Sequence, residues 1–261
     1  MELFTKITGN GPPLLILHGL FGSWENWGSQ IRLLAEDFTI YAMDARNHGR
    51  SPHTEAMDYD AMSDDVLLTL EKHGLGQVSV IGHSMGGKTA MQVALKSPQS
   101  IDRLVVVDIA PRHYEPGHNE IFQALCEMDL STLQSRAEAD EFVQQWIDDV
   151  GIRAFVLKNL VRIGDGFDWK MNLPVIREHY PALLEDIHAP QRFDGPVLFV
   201  KGAKSDYIRK SDQTRISHLF QKKKKKIIDG AGHWPHSEKA SVFYKIVNDF
   251  LQGDDRPRDS R

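Results

Sequence analysis

Val78-Ser79-Val80-Ile81-Gly82-His83-Ser84-Met85-Gly86-Gly87-Lys88 is the stretch on which the fold turns. Its first four residues are a β-rich apolar run, and a stretch of helical character extends from Gly86 to Lys96, closed by Ser97-Pro98. Between them, Ser84 stands bracketed by Gly82 and Gly86, a G-x-S-x-G arrangement. The glycines let backbone approach where a Cβ would collide, and a sharp strand-to-helix turn pushes the hydroxyl outward. Chance supplies such a pentapeptide in roughly one chain in ten of this length. The strand before it and the helix after it therefore carry the weight.

On both sides of this junction short apolar runs alternate with helical periods. Leu14-Leu15-Ile16-Leu17, Phe38 to Met43 and Leu104 to Val107 read as buried strands. Trp27, Ile31 and Leu34 share one helical face, as do Met62, Val66 and Leu70 in a segment stopped by Gly74. The alternation predicts an α/β protein with a mostly parallel sheet flanked by helices. From Pro111 to Pro190 strand signals vanish, and two stripes, Phe142-Trp146-Val150 and Ile152-Phe155-Val156-Leu160, recur at helical spacing. This predicts a helical insertion over residues 111–190, between core segments 1–110 and 191–252. The sheet resumes at Pro196 to Val200 and near Lys225 to Ile228, and a closing helix carries Phe243, Ile246, Val247 and Phe250. Residues 253–261, charged and without a large apolar side chain, read as a disordered tail.

The chain has 261 residues, of which 41% are hydrophobic and 26% charged, enough for one or two compact units. With 20 glycines and 12 prolines, collagen-like and low-complexity classes are excluded. No apolar run approaches the roughly 18 residues of a membrane span, and nothing at Met1 to Lys6 resembles a secretion signal. A net charge of −5 argues against generic nucleic-acid binding. A single cysteine, Cys126, cannot form an internal disulfide. The expectation is a soluble cytoplasmic protein acting on a small molecule, with neither metal nor organic cofactor, since no His, Cys or carboxylate cluster has ligand spacing. Lys222 to Lys226 could meet phosphates such as those of a coenzyme A tail. Lysines on the margin of a sheet also block edge-to-edge pairing, and that reading is preferred.

His18-Gly19-Leu20-Phe21-Gly22 follows the first long strand and can aim backbone N–H groups at a developing oxyanion. Leu20 is the first expected donor, and Met85, directly after the serine, is the second. His18 reads as a turn histidine. Gly230-Ala231-Gly232-His233-Trp234 puts a histidine on a glycine-rich loop after the last strand, suited to a general base. His236 is the competitor, but it belongs to the helix opening Pro235-His236-Ser237-Glu238. Asp44 to Ser51 reads as structural, with Asp44 and Arg46 holding neighbouring turns.

Jointly these motifs resemble the α/β-hydrolase superfamily over essentially the whole chain apart from its tail. Within it, Asp44 to Ser51, Val107-Asp108-Ile109-Ala110-Pro111 and Trp169-Lys170-Met171-Asn172-Leu173 are most similar to the YbfF-type esterases. The resemblance implies the α/β-hydrolase fold with a helical cap after the sixth strand, and hydrolysis of carboxylic esters or acyl-CoA thioesters. Ser84 would be the nucleophile and His233 its base. The acid is open between two positions. Asp108 ends an apolar strand where a lone carboxylate needs a donor such as an imidazole N–H, although it could instead cap the segment beyond Pro111. Asp206 lies one residue beyond the G-x-x-D site of many members, which Ser205 occupies here; Ser205 would bond the same histidine. Asp108 is preferred.

The cap would exclude water, with Trp146, Phe155, Leu157 and Met171 lining the acyl pocket. A serine at position 84 argues against dehalogenases and epoxide hydrolases, which need a carboxylate there. Carbon–carbon bond hydrolysis, cofactor-free perhydrolysis and aminopeptidase action remain open on the same triad. So does a different class, a ligand-binding sensor with vestigial turnover.

Overall fold

A computed structural model describes residues 1–187 and 191–253. All of the expected tail, residues 253–261, beyond Gly253, and three residues at the end of the expected insertion, 188–190, lie outside the described residues. Chain order begins β1 (Thr5–Thr8), β2 (Pro13–Leu17), α1 (Gly28–Leu34), β3 (Thr39–Met43), α2 (Tyr59–Lys72), β4 (Val78–His83), α3 (Met85–Lys96) and β5 (Ile101–Val107). An insertion follows, with α4 (Asn119–Glu127), α5 (Arg136–Val143), α6 (Val150–Val156), β6 (Leu160–Ile163), β7 (Gly166–Trp169), α7 (Leu173–Glu178) and α8 (Tyr180–Leu184). The chain returns through β8 (Val197–Gly202), α9 (Gln213–Leu219), β9 (Lys223–Ile228), α10 (Pro235–Glu238) and α11 (Ala240–Leu251).

The apolar strands bury both faces, as strands sandwiched between helices must. Leu14 and Ile16 join Trp27, Ile31, Phe243 and Val247 in one buried cluster, under α1 and α11. Leu15 and Leu17 join Met62, Val66, Met91 and Ala94 in the other, under α2 and α3. That second cluster continues into the insertion through Phe122, Val143, Val156 and Leu183, so the insertion is packed onto the core as one apolar body.

The sheet has seven strands in the order β1-β3-β2-β4-β5-β8-β9. Only β1 is antiparallel to its neighbour. Connections diverge on the two sides of β2, which opens a crevice at the carboxyl ends of the strands. Leu17 pairs with Gly82, His83 with Val107, Val107 with Val200, and Gly202 with Ile228. Whatever follows β2, β4, β5, β8 and β9 must therefore meet along one edge.

Several sequence expectations change. The edge strand β1, Thr-Lys-Ile-Thr, has three polar residues of four and is partly open to solvent, so it carries no apolar signal. The insertion leaves the sheet after its fifth strand in chain order, not its sixth, because only β1 precedes β2. It is also not wholly helical: β6 and β7 form a hairpin turned at Gly164, whose φ is 59°. Phe142, Trp146 and Val150 do not share a helix, since α5 ends at Val143, Trp146 lies in the following turn and Val150 is 67% exposed. Of the lysine run, Lys223 to Lys226 lie on β9, at the edge of the sheet and starting at the end of the strand away from the crevice.

Close packing at the β4–α3 junction makes the glycines there indispensable. A Cβ on Gly82 would sit 2.2 Å from the Gly86 carbonyl oxygen, whereas one on Gly28 would meet nothing within 4 Å. Gly82→Ala should therefore lower the unfolding free energy by roughly 2–4 kcal/mol. Gly28→Ala should leave it unchanged or raise it by up to about 1 kcal/mol. Urea titrations of the two variants check this, and equal midpoints would refute the close-approach argument.

Candidate active site

β4 passes into α3 through Ser84 alone, which adopts φ 53° and ψ −118°. Such a conformation costs a non-glycine residue about 1–3 kcal/mol and persists only where surrounding contacts enforce it. Here the Ser84 N–H donates to the Val107 carbonyl at 3.1 Å, and the Ser84 carbonyl accepts the Lys88 N–H at 3.0 Å. Met85 opens α3, so its N–H is one of the donors a helix cannot use internally.

Asp108 follows β5 in the same left-handed region, at φ 50°, with no exposed surface. Its Oδ1 accepts the Gly202 N–H at 3.0 Å, and its Oδ2 accepts the Ser205 hydroxyl and the His233 Nδ1–H, the latter at 2.8 Å. It caps no helix. Asp206, in contrast, is exposed on the rim of the neighbouring cavity, and among the described residues the carboxylate bonded to His233 is that of Asp108.

His233 is held from several sides. Glu238 accepts the N–H groups of both its neighbours, Gly232 at 2.7 Å and Trp234 at 3.0 Å. The His83 Nε2–H donates to the His233 carbonyl at 2.7 Å, and the Tyr207 ring stacks on the imidazole at 3.8 Å. Burial pushes the His233 imidazole down to about 3, with the charge of His118 adding to the effect and Glu238 opposing it. Burial pushes the Asp108 carboxyl up to about 6, against donors at Ser205 and Gly202 and the charge of Lys201. With Nδ1 committed to Asp108, Nε2 is the nitrogen left for proton transfer.

The other residues singled out in the sequence are also located. His18 uses both ring nitrogens locally, Nδ1–H to the Gly19 carbonyl at 2.8 Å and Nε2 from the Ala45 N–H at 2.9 Å. Asp44 accepts the Trp24 and Arg50 N–H groups at 2.7 and 2.8 Å, and Arg46 pairs with Asp65 at 2.6 Å, a turn-holding arrangement. His236 is buried and stacked on Trp27 at 4.2 Å. Two cavities open at Ser84. One, of about 220 Å³, is walled by Leu20, Met85, Ile109, Leu183, Leu184 and Tyr207. The second, of about 180 Å³, also meets Leu20, Phe155, His233 and Trp234. Of the four expected pocket residues only Phe155 reaches these walls. Trp146 packs on Phe142 at 5.0 Å, while Leu157 and Met171 are buried in the packing of the insertion.

Lys88 was not legible as a site residue. It lies one turn beyond Ser84, is 1% exposed, and its Nζ donates to the Leu184 carbonyl at 3.2 Å and to that of Glu185. These lie at the carboxyl end of α8, where a cation is favourable. Burial lowers its pKa to about 7. Among the described residues no three His, Cys, Asp or Glu side chains form a group that could hold a metal ion. Nor is any helix among them long and apolar enough to cross a membrane.

A family profile for the alpha/beta hydrolase fold matches residues 12–240. The chain belongs to the α/β-hydrolase family. It is 40% identical over 250 residues to the sn-1-specific diacylglycerol lipase ABHD11 of Xenopus laevis, covering 93% of this chain and 80% of that one. It is 36% identical over 243 residues to the esterase YbfF of Escherichia coli strain K12, covering 93% and 94%. A solved structure described as a marine microorganism esterase superposes with a TM-score of 0.94 at 38% identity, covering 96% and 99%. With these relatives in this family, the chain is an ester hydrolase of class EC 3.1.

Burial of its histidines should make this α/β hydrolase acid-sensitive. Burial pushes His18 and His118 down to about 4 and His48 to about 3, alongside His233. Each stays neutral in the native state while the unfolded chain takes up a proton below about 6.5. The stability they allow is complete above that pH and is lost as pH falls, by up to about 1.4 kcal/mol per pH unit for each histidine. Urea midpoints should drop steeply between pH 7 and pH 5; a flat profile would contradict these assignments.

Proposed function

We propose that this chain is a serine hydrolase cleaving carboxylic esters or acyl thioesters through an acyl-enzyme. The observation that carries the reading is the 2.8 Å bond between a fully buried Asp108 and His233, in a loop that shares a cavity with Ser84. Ser84 Oγ attacks the acyl carbonyl while His233 Nε2 removes its proton. Asp108 holds the imidazole in the Nδ1–H tautomer and stabilises the imidazolium that forms. The N–H groups of Leu20 and Met85 donate hydrogen bonds to the carbonyl oxygen as its negative charge develops. The imidazolium then protonates the departing alcohol or thiol, and water activated by the same imidazole releases the acid.

Ser205 supports this reading as a positioning residue. Its hydroxyl donates not to His233, as the sequence led one to expect, but to the Asp108 oxygen that faces His233, and it accepts the Tyr207 N–H at 3.2 Å. The cavity walled by Leu20, Ile109, Leu183 and Leu184 suits the acyl chain. Phosphate recognition by Lys222 to Lys226 is not supported, since those residues run from the opposite end of β9.

Ser84→Ala and His233→Ala should each abolish nearly all turnover, and the double variant should be scarcely worse, because the two act as a unit. Asp108→Asn should lower kcat on the order of 10³- to 10⁴-fold with little change in KM, whereas Asp206→Asn should remain active. The reverse ranking would hand the acid role to Asp206. Activity requires ionised Asp108 beside neutral His233, and Asp108 is pushed up to about 6. The kcat/KM profile should therefore hold above pH 6 and fall below it, with an apparent pKa belonging to the pair. Undiminished activity at pH 4.5 would contradict this proton arrangement.

A further inference from the structure

Leu20 N–H belongs to the Gly19–Leu20 peptide, and the other end of that plane, the Gly19 carbonyl, accepts the Gly22 N–H at 3.0 Å. Gly22 N–H belongs in turn to the Phe21–Gly22 peptide, whose carbonyl accepts the side-chain amide of Asn159 at 2.8 Å. Two peptide planes thus link Asn159, in the insertion, to the Leu20 N–H. Phe21 between them is held at φ 59°, a conformation a phenylalanine does not adopt unaided.

Asn159 is itself pinned. It is 3% exposed, and its second amide hydrogen goes to the Val156 carbonyl at 3.1 Å. Its backbone carbonyl accepts the Lys170 N–H at 2.7 Å. Two residues on, Asn172 donates its N–H to the Asn47 carbonyl at 2.9 Å and its side-chain amide to Asn47 Oδ1 at 3.2 Å. The neighbour of Asn47, His48, accepts the Phe21 N–H at 3.3 Å through Nε2, its Nδ1–H being spent on the Arg46 carbonyl at 3.0 Å. The circuit closes on the loop where it began.

We propose that Asn159 is a positioning residue of the oxyanion site, and that the insertion clasps the Leu20 loop into its donating geometry through Asn159 and Asn172. The inference rests on Leu20 being an oxyanion donor. Its physical content is that both acceptors of the Asn159 amide are carbonyl oxygens, so only a donor fits. Asn159→Asp keeps the size and sets an oxygen against both. A covering lid would influence access and binding; a clasp acts on the charge that develops in the transition state.

Wild type, Asn159→Asp and Asn172→Ala are compared on a short p-nitrophenyl ester and on a trifluoromethyl ketone. The ketone carbon bonds to Ser84 Oγ while the hydroxyl proton passes to His233, which leaves an oxyanion without turnover. Asn159→Asp should lower kcat on the order of 10- to 100-fold, below the cost of deleting a donor, with KM within about twofold. Ketone affinity should fall by a similar factor, and affinity for the carboxylic acid product should stay. Asn172→Ala opens the circuit on its far side and should give the same signature at roughly three- to tenfold.

Wild-type kcat in Asn159→Asp, a loss confined to KM, or equal losses for ketone and product would overturn the clasp. If Asn159→Asp does not fold, Asn172→Ala decides by the same split between kcat and KM. Ser84→Ala judges the underlying site separately. Hydrolysis by Ser84→Ala would overturn the nucleophile assignment. An inert Ser84→Ala beside unimpaired clasp variants would overturn the clasp alone.

Discussion

A carboxylate with no exposed surface, Asp108, is the constraint on which the site depends. Burying an anion is costly unless donors replace its water, and Asp108 finds them on three segments: Gly202 at the end of β8, Ser205 beyond it, and His233 beyond β9. Satisfying that one group orders the carboxyl ends of three neighbouring strands relative to one another. It also leaves His233 a single free nitrogen, Nε2. The bond from His233 that helps satisfy the buried charge also fixes the orientation of the imidazole.

Backbone strain is distributed along the same edge. Phe21 follows β2, Asn47 follows β3, Ser84 follows β4 and Asp108 follows β5, and these are the four non-glycine residues with positive φ among the described residues. Each conformation is costly alone and is sustained by bonds from neighbours. Ser84 leans on Val107, Asp108 donates its N–H to the Val200 carbonyl at 2.8 Å, and Phe21 and Asn47 are held by the insertion. Strain that would unravel an isolated loop is stable here because parallel strands supply rigid partners at fixed spacing.

The insertion is more than a cover. Lys88 ties α3, the helix that begins directly after Ser84, to the end of α8, while Asn159 and Asn172 tie the β6–β7 region to the loops after β2 and β3. Its apolar residues are continuous with the core under α2 and α3. The insertion is thereby joined to the core by both packing and hydrogen bonds.

Local chemistry wrote much of this into the sequence. An apolar run ending at Gly82-His83-Ser84-Met85-Gly86, an apolar run ending at Asp108 and a glycine-rich turn before His233 are each short-range patterns, so the sheet and the candidate serine and histidine could be read directly, with the acid left open between Asp108 and Asp206. What could not be read depends on partners distant in the chain. That Asp108 and not Asp206 bonds His233 follows from β8 pairing with β5, which brings Gly202 and Ser205 to one carboxylate and leaves Asp206 facing solvent. The contacts of Tyr207 with His233, Lys88 with Leu184 and Asn159 with Phe21 are invisible to periodicity, because each joins groups far apart in the chain. The stripe Phe142-Trp146-Val150 misled for the complementary reason: helical spacing records which residues could share a face, and only tertiary packing decided that the helix stops at Val143.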